Sequence, residues 1–387
     1  MKNWRYGIIM PLLVMDFLCV CGSANAEKSL AEIYQTGKVR FIKEFEITDE
    51  SLPEGGFFSN ILAVAMDEDG AIYACDYQAN NIKKFDANGK FVKIIGKEGQ
   101  GPGDFGHPLK MEIAKDRIFV WDAMNMRISV LNLNGDFVKS VHWDRMKLGW
   151  PWGMKALPDG KIVFETRVTH RGGSTRPEEW FLHLYSYDME HEKEIFRKEC
   201  LVQKNITKPR NMNIPIPFSA RVHWDVSPDG NIIIGFSEKY EVEIHDPIKE
   251  KLSSFSHEYE PVEVTKEDQK QYFAGMTVST TVGGSREVKQ GAPDYIVNNT
   301  DFPKYKPVYD DIKCDSEGNI WVRTFCKEKK EGRRSFDVFD KDGRFINRVI
   351  IEGDRSYPGR AKIKNRSFCI VESDEEGFQK IVKYRIE

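Results

Sequence analysis

Short apolar runs separated by turn dipeptides recur along the chain. Between residues 62 and 106, apolar side chains alternate at Leu62, Val64 and Met66, then return at Ile72, Tyr73 and Cys75 and at Ile82 and Phe85. Phe91, Val92, Ile94 and Ile95 form a fourth run. Asp69-Gly70 and Asn88-Gly89 lie between the runs, and such dipeptides supply the positive φ of tight hairpins. Four short strands joined in this way make one antiparallel sheet, too small to bury both of its faces and therefore in need of neighbours of the same kind.

The neighbours follow in the sequence. The pattern recurs over residues 109–143, with Asn134-Gly135 where Asn88-Gly89 stood, and again over 154–196, 222–255, 308–351 and 361–387. Where nothing is inserted the spacing is roughly 45 residues, the range of propeller blades. Six units predict an all-β fold, a six-bladed β-propeller spanning residues 39–387. The last unit has three strand-like runs and then the chain ends. Its missing outer strand is supplied by Val39–Ile47, which is expected to pair beside Ile381–Ile386 and so close the ring without loose edges.

The run Gly99-Gln100-Gly101-Pro102-Gly103-Asp104-Phe105, with IAKDRIFVWDAMNMRISVLNLNGDF after it, resembles NHL-type repeats, in particular the six-bladed propellers of envelope proteins in Bacteroidetes-like bacteria. The resemblance covers nearly all of the chain past residue 26 and is strongest over the first two units. It implies the fold and export, and no particular activity.

The first 26 residues carry Lys2 and Arg5, an apolar stretch from Tyr6 to Val20, and Ala24-Asn25-Ala26, the layout of a secretory signal peptide. A competing reading takes Leu18-Cys19-Val20-Cys21 as an approximate lipobox, with Cys21 the lipidated residue. Either way the protein is expected in the periplasm or anchored at the outer membrane, with residues 27–38 as a linker. Composition adds little: 40% apolar, 30% charged and a net charge of −3 suit a globular chain and give no basic excess for nucleic acid. Cys75, Cys314 and Cys369 fall inside predicted strands and read as small buried hydrophobes.

Loop lengths are asymmetric. The turns between first and second and between third and fourth strands of a unit are short, from Asp69-Gly70 to Asp342-Gly343. The other connections hold nearly every insertion, so one face of the disc is trimmed and the other elaborated. Arg and Trp collect on the elaborated side, at Arg145, Trp150, Trp152, Arg171, Arg176, Trp180 and Arg210, with His107 nearby. Loops on a rigid scaffold are where binding groups accumulate, and Trp and Arg are the residues enriched in hot spots. These eight residues are the expected ligand-binding set of an interaction module whose partner, at the central channel, is an anionic glycan or an envelope protein.

The longest insertion, 258–307 between the fourth and fifth units, has a near capping box at Thr265 and Asp268 and a short helix over residues 269–276. It reads as a flap over the channel mouth, or else as decoration on the fourth and fifth blades. Propeller enzymes that hold Ca²⁺ or Zn²⁺ in the channel suggest a catalytic alternative: a lyase or lactonase acting on an acidic sugar. In it Arg221 or Arg171 would hold the carboxylate, His223 would be the general base, and the metal would lie among His107, His170, His223, Asp225, Asp310 and Asp311. No H-E-x-x-H, nucleophile elbow or repeated histidine position supports it, so the reading leans towards binding.

Overall fold

A computed structural model describes residues 28–170, 176–209, 211–282, 285–325, 335–352, 362–374 and 376–387. Helix α1 (Leu30–Tyr34) leads into strand β1 (Lys38–Ile47). Blade 1 is then β2 (Ile61–Met66), β3 (Ile72–Asp76), β4 (Asn81–Phe85) and β5 (Phe91–Ile95). Blade 2 is β6 (Pro108–Ala114), β7 (Arg117–Asp122), β8 (Arg127–Asn132) and β9 (Phe137–His142). Helix α2 (Arg145–Leu148) leads to blade 3, with β10 (Trp150–Ala156), β11 (Ile162–Val168), β12 (Glu178–Tyr185) and β13 (His191–Cys200). The hairpin β14 (Gln203–Ile206) and β15 (Met212–Pro215) precedes blade 4, made of β16 (Val222–Val226), β17 (Ile232–Phe236), β18 (Glu241–Asp246) and β19 (Glu250–Ser256). The insertion follows as α3 (Lys266–Ala274), β20 (Thr277–Val282), β21 (Ser285–Gln290) and α4 (Asp294–Val297). Blade 5 is β22 (Tyr309–Cys314), β23 (Ile320–Thr324), β24 (Ser335–Phe339) and β25 (Phe345–Glu352), and the chain ends with β26 (Ser367–Ser373) and β27 (Gln379–Ile386).

The ring closes as the sequence predicts. Strand β1 runs antiparallel to β27, with Phe41 opposite Ile386 and Ile47 opposite Ile381. Its first residues also pair in parallel with β25, Lys38 opposite Ile350, so one strand ties the fifth blade to the sixth. Six apolar clusters fill the interfaces. Between the first two blades Tyr73, Cys75 and Ile82 meet Met111, Ile118 and Leu131. At the closure Ile47, Cys369 and Ile381 meet Ile61, Ile72 and Phe85. Each sheet thus buries on a neighbour the face it cannot cover alone. Cys75, Cys200, Cys314 and Cys369 are buried free thiols within this packing.

The short turns have the backbone their sequences demand. Gly70, Gly89 and Gly135 sit at φ of 84°, 81° and 83°, where a side chain would strain the backbone. Buried acids at the far ends of second strands then latch neighbouring connections. Asp76 accepts from the amides of Ser59, Asn60 and Ala79 and pairs with buried Lys83 at 2.7 Å. Asp122 does the same for Gly106, Asn125 and Arg127.

The segment expected to be a linker is folded instead. Leu30 and Tyr34 of α1 are fully buried against blades 5 and 6, because this short helix presents two apolar anchors one turn apart. The Tyr34 hydroxyl donates to Asp315 at 2.7 Å, and the Leu30 amide donates to Glu317. Both acceptors belong to the first turn of blade 5, so the chain enters the disc from its trimmed face. Tyr34→Phe leaves a buried carboxylate one donor short. It is expected to lower stability by about 1–2 kcal/mol in urea denaturation, without altering the fold.

Two further elements were not expected. Strands β14 and β15 pair antiparallel, and so do β20 and β21, whose residues lack apolar alternation. In the insertion the capping box is present, with the Thr265 hydroxyl accepting from the Asp268 amide and the Asp268 carboxylate from the Thr265 amide. The helix starts at Lys266 and ends at a Gly275 cap. The insertion rests on the connection between blades 3 and 4. Ile206 and Ile214 of the first pair pack with Phe273, Met276 and Ile296, and Phe302 touches both Phe218 and Phe273.

Candidate functional site

The inner strands of blades 1 to 5, with β26 of blade 6, surround a central well of about 690 Å³. Antiparallel pairing sends the inner strands of blades 1 to 5 from the elaborated face towards the trimmed one, so residues early in each of them form the mouth and later ones the floor, whereas β26 runs the other way. Leu62, Trp152 and Arg221 are exposed at the mouth, and β22 contributes Asp310 and Asp311.

A recurrent backbone feature aims the mouth residues. The pairing of first and second strands slips by one residue between Ile61 and Ala63, between Pro108 and Lys110, between Pro151 and Gly153, and between Tyr309 and Asp311. Such a bulge leaves one residue without a partner and turns its side chain out of the sheet alternation. Here it leaves Leu62, Leu109, Trp152 and Asp310 outside the pairing register; Leu62, Trp152 and Asp310 line the well, whereas Leu109 packs on the interface of blades 2 and 3. Gly153 completes the arrangement in blade 3, because a Cβ there would lie 3.1 Å from the Glu165 side chain and 3.2 Å from the Trp224 ring.

Arg167 lies at the centre of one wall. Its guanidinium stacks 3.5 Å from the centroid of Trp180 and 4.8 Å from that of Trp152, and it donates to Glu165 at 2.7 Å. Glu165 in turn accepts from the Trp224 indole at 2.9 Å. On the facing wall Arg323 pairs with Asp310. Arg221 differs from both. Its backbone is pinned by Ser237, yet its side chain makes no hydrogen bond or ion pair with any described residue. Water reaches it through the mouth, while partial enclosure and the charge of Arg167 pull its pKa below the usual arginine value. His223 stands beside it, edge-on to Tyr309. Burial, against the pull of Asp311 and Glu165, lowers its pKa to about 4, so the imidazole is neutral at pH 7.

The floor is an ion chain across three blades. Lys155, Asp225 and Lys313 each sit one residue before the end of their inner strand, and Asp225 lies 2.6 Å from Lys155 and 3.7 Å from Lys313. Burial would raise the Asp225 carboxyl, but the two ammonium groups outweigh it and hold it below the ordinary range. Burial works against Lys155 too, and Asp225 with Glu112 overcomes it, raising the pKa to about 12. Lys313 is pulled down by burial and by Lys155, whereas Glu112 is pushed up by burial despite Lys155 and Lys362.

Of the residues anticipated from the sequence, Trp152, Trp180, Arg221 and His223 come together in the well. Trp150 is on the inner strand too, but packs edge-on to Trp121 in the interface of blades 2 and 3. Arg145 is exposed on α2 and Arg176 precedes β12; neither lines the well. His107 holds a positive φ and lies against the Tyr77 ring, a connection residue. Arg171, Arg210 and Cys21 lie outside the described residues. Arg167, Glu165 and Arg323 were not anticipated. Charged residues inside otherwise apolar strands were the available signal for them, as they were for Lys155 and Lys313.

The donors do not suit a channel Ca²⁺ or Zn²⁺. Asp225 is committed to Lys155 and Lys313, and Asp310 to Arg323, so a divalent cation would face several fixed positive charges. Among the described residues, no group of three or more His, Cys, Asp or Glu could hold a metal ion.

Closed ring, interlocking blade cores and inner-strand well define a six-bladed β-propeller. Residues 39–221 match the family model DUF5128, described as a 6-bladed beta-propeller. No curated protein matches the sequence. Among solved structures the chain is similar to a DUF4221 family member from Bacteroides vulgatus ATCC 8482, with a TM-score of 0.52 and 12% identity over 91% of this chain and 99% of that one. An exported-protein candidate from Bacteroides fragilis NCTC 9343 gives 0.49 at 12% identity, over 90% and 95%. A luciferin-regenerating enzyme gives 0.43 at 14%, over 88% and 94%. No described helix is long and apolar enough to cross a membrane.

Proposed function

We propose that this NHL-like propeller is an exported binding module that takes an anionic glycan in the mouth of its central well. One observation carries the reading: Arg221, a cation whose side chain has no partner among the described residues, lines the well together with an exposed tryptophan. Six cationic side chains line the well against four carboxylates, with Asp225 behind the floor as a fifth. The surplus positive charge resides in Arg221. A carboxylate or sulfate can take its guanidinium in two parallel hydrogen bonds. Trp152, already backed by Arg167, offers its other surface to the apolar face of a sugar ring. A concave well of this size also suits a small ligand better than it suits a protein, which would dock on the rim.

Calorimetric titration with digalacturonate tests the reading. Trp152→Ala is expected to weaken binding about tenfold or more, and affinity is expected to fall as salt screens the guanidinium. Equal affinity for a neutral disaccharide of the same linkage would overturn the proposal. The lyase or lactonase alternative predicts turnover of the bound sugar that His223→Ala abolishes, whereas a binding module releases the ligand unchanged.

A further inference from the structure

We infer that His223 is a second ligand-contacting residue of the well: its imidazole hydrogen-bonds the hydroxyl next to the carboxylate that Arg221 holds, so the site selects hydroxylated sugar acids over their deoxy counterparts. The inference rests on the binding reading above and adds to it which part of the sugar is read.

Strand β16 places the ring. Val222, Trp224 and Val226 pack towards blade 3, so the alternation of the strand turns His223 the other way, towards Tyr309 of blade 5 and the well. Its partner across the sheet is Gly235, where a Cβ would strike the Tyr309 hydroxyl and Ile312. That missing side chain lets Tyr309 lie edge-on to the imidazole, with ring centroids 5.7 Å apart. The Tyr309 hydroxyl donates to the Glu241 carbonyl, so it braces the ring and takes neither of its nitrogens.

Buried polar groups ordinarily find a hydrogen-bond partner in the protein. His223, half-buried, gives neither nitrogen to a described residue. Glu165, which faces it, is already bonded to Arg167 and to the Trp224 indole. The charges around the ring oppose one another, Asp311 and Glu165 against Arg221 and Arg323, and enclosure keeps it neutral at pH 7. A neutral imidazole has one donor and one acceptor nitrogen, and a hydroxyl can meet either. Arg221 lines the well two residues earlier, about 6.5 Å away along the backbone and nearer the mouth. In a uronic acid the C4 hydroxyl stands beside the carboxylate carried on C5. One ring can therefore set its carboxylate on Arg221 and that hydroxyl, one step deeper, on His223.

The test is a cycle of calorimetric titrations: wild type and His223→Phe, each with digalacturonate and with the analogue that lacks the C4 hydroxyl of its non-reducing ring. Phenylalanine keeps a ring against Tyr309 and removes both nitrogens. Wild type is expected to bind the analogue about 3- to 10-fold more weakly, the worth of one neutral hydrogen bond. His223→Phe should bind digalacturonate with a similar loss and no longer distinguish the two ligands. His223→Gln, which keeps a donor and an acceptor, should recover part of the discrimination. Equal affinity of wild type for the two ligands, or a preference undiminished in His223→Phe, would overturn the inference while leaving the carboxylate anchor intact. If wild type does not bind digalacturonate at all, the binding reading falls and this inference with it.

Discussion

Asp225→Ala is expected to destabilise the protein by about 3–5 kcal/mol, the cost of stripping a buried ion pair of one partner. Two ammonium groups, Lys155 and Lys313, would then face each other at the floor of the well with no carboxylate between them, and Lys313 is almost fully buried. The Cys314 and Val226 amides would lose their acceptor as well. Guanidinium denaturation should show the loss in the midpoint. The triple change Lys155→Met, Asp225→Leu, Lys313→Met should recover most of it, because apolar replacement removes the desolvation cost with the charges. A single variant as stable as wild type would show that the chain contributes nothing net.

The same chain sets a pH dependence. The folded state holds the Asp225 carboxyl below its ordinary 3.8, so its contribution is complete above that value and is lost as pH falls through the lower, folded pKa. Lys155 is raised from 10.5 to about 12, so its contribution is complete below pH 10.5 and disappears as pH climbs towards 12. Lys313, depressed in the fold, acts with the opposite sign and tempers the alkaline limb. Stability profiles of wild type and the triple variant should therefore lie close together between these limits and separate at both extremes, where only wild type loses the contribution of the charges.

Arg221→Gln is expected to weaken digalacturonate binding about 10- to 100-fold, the worth of roughly 1.5–3 kcal/mol for a hydrogen bond between charged partners. Folding should be unaffected within about 0.5 kcal/mol, since the side chain has no described partner to lose and Arg167 gains relief from a like charge. Arg221→Lys should restore only part of the affinity, because an ammonium group is a point charge without the paired donors of a guanidinium. Unchanged binding in Arg221→Gln would place the anion elsewhere on the disc.

How far residue patterns reach is clearest at the inner strands. Period-two alternation and the Asp-Gly and Asn-Gly turns locate the blades, because a half-buried strand and a tight turn each impose a local requirement on their own residues. The spare strand at Val39–Ile47 was legible for a similar reason: a final unit with three runs needs a fourth. Trp150 and Trp152, by contrast, lie two residues apart in one loop-like stretch, yet one packs between blades and the other faces the well. A single-residue slip against β11 decides which, and that slip depends on partners distant in sequence. Helix α1 is equally illegible, since five residues make no stable helix until Leu30 and Tyr34 find blades 5 and 6.

Alternation and turn chemistry, read from the chain alone, determined six sheets, a closed ring and a single elaborated face, because those follow from near-neighbour sterics and from apolar surface that must find cover. Tertiary structure decided which charges meet. Lys155, Asp225 and Lys313 belong to three different blades, and Arg221 is left without a partner among the described residues only once Glu165 has taken Arg167 and Asp310 has taken Arg323. Coulomb energy depends on separation through space, and ring closure alone brings side chains from separate blades within reach of one another.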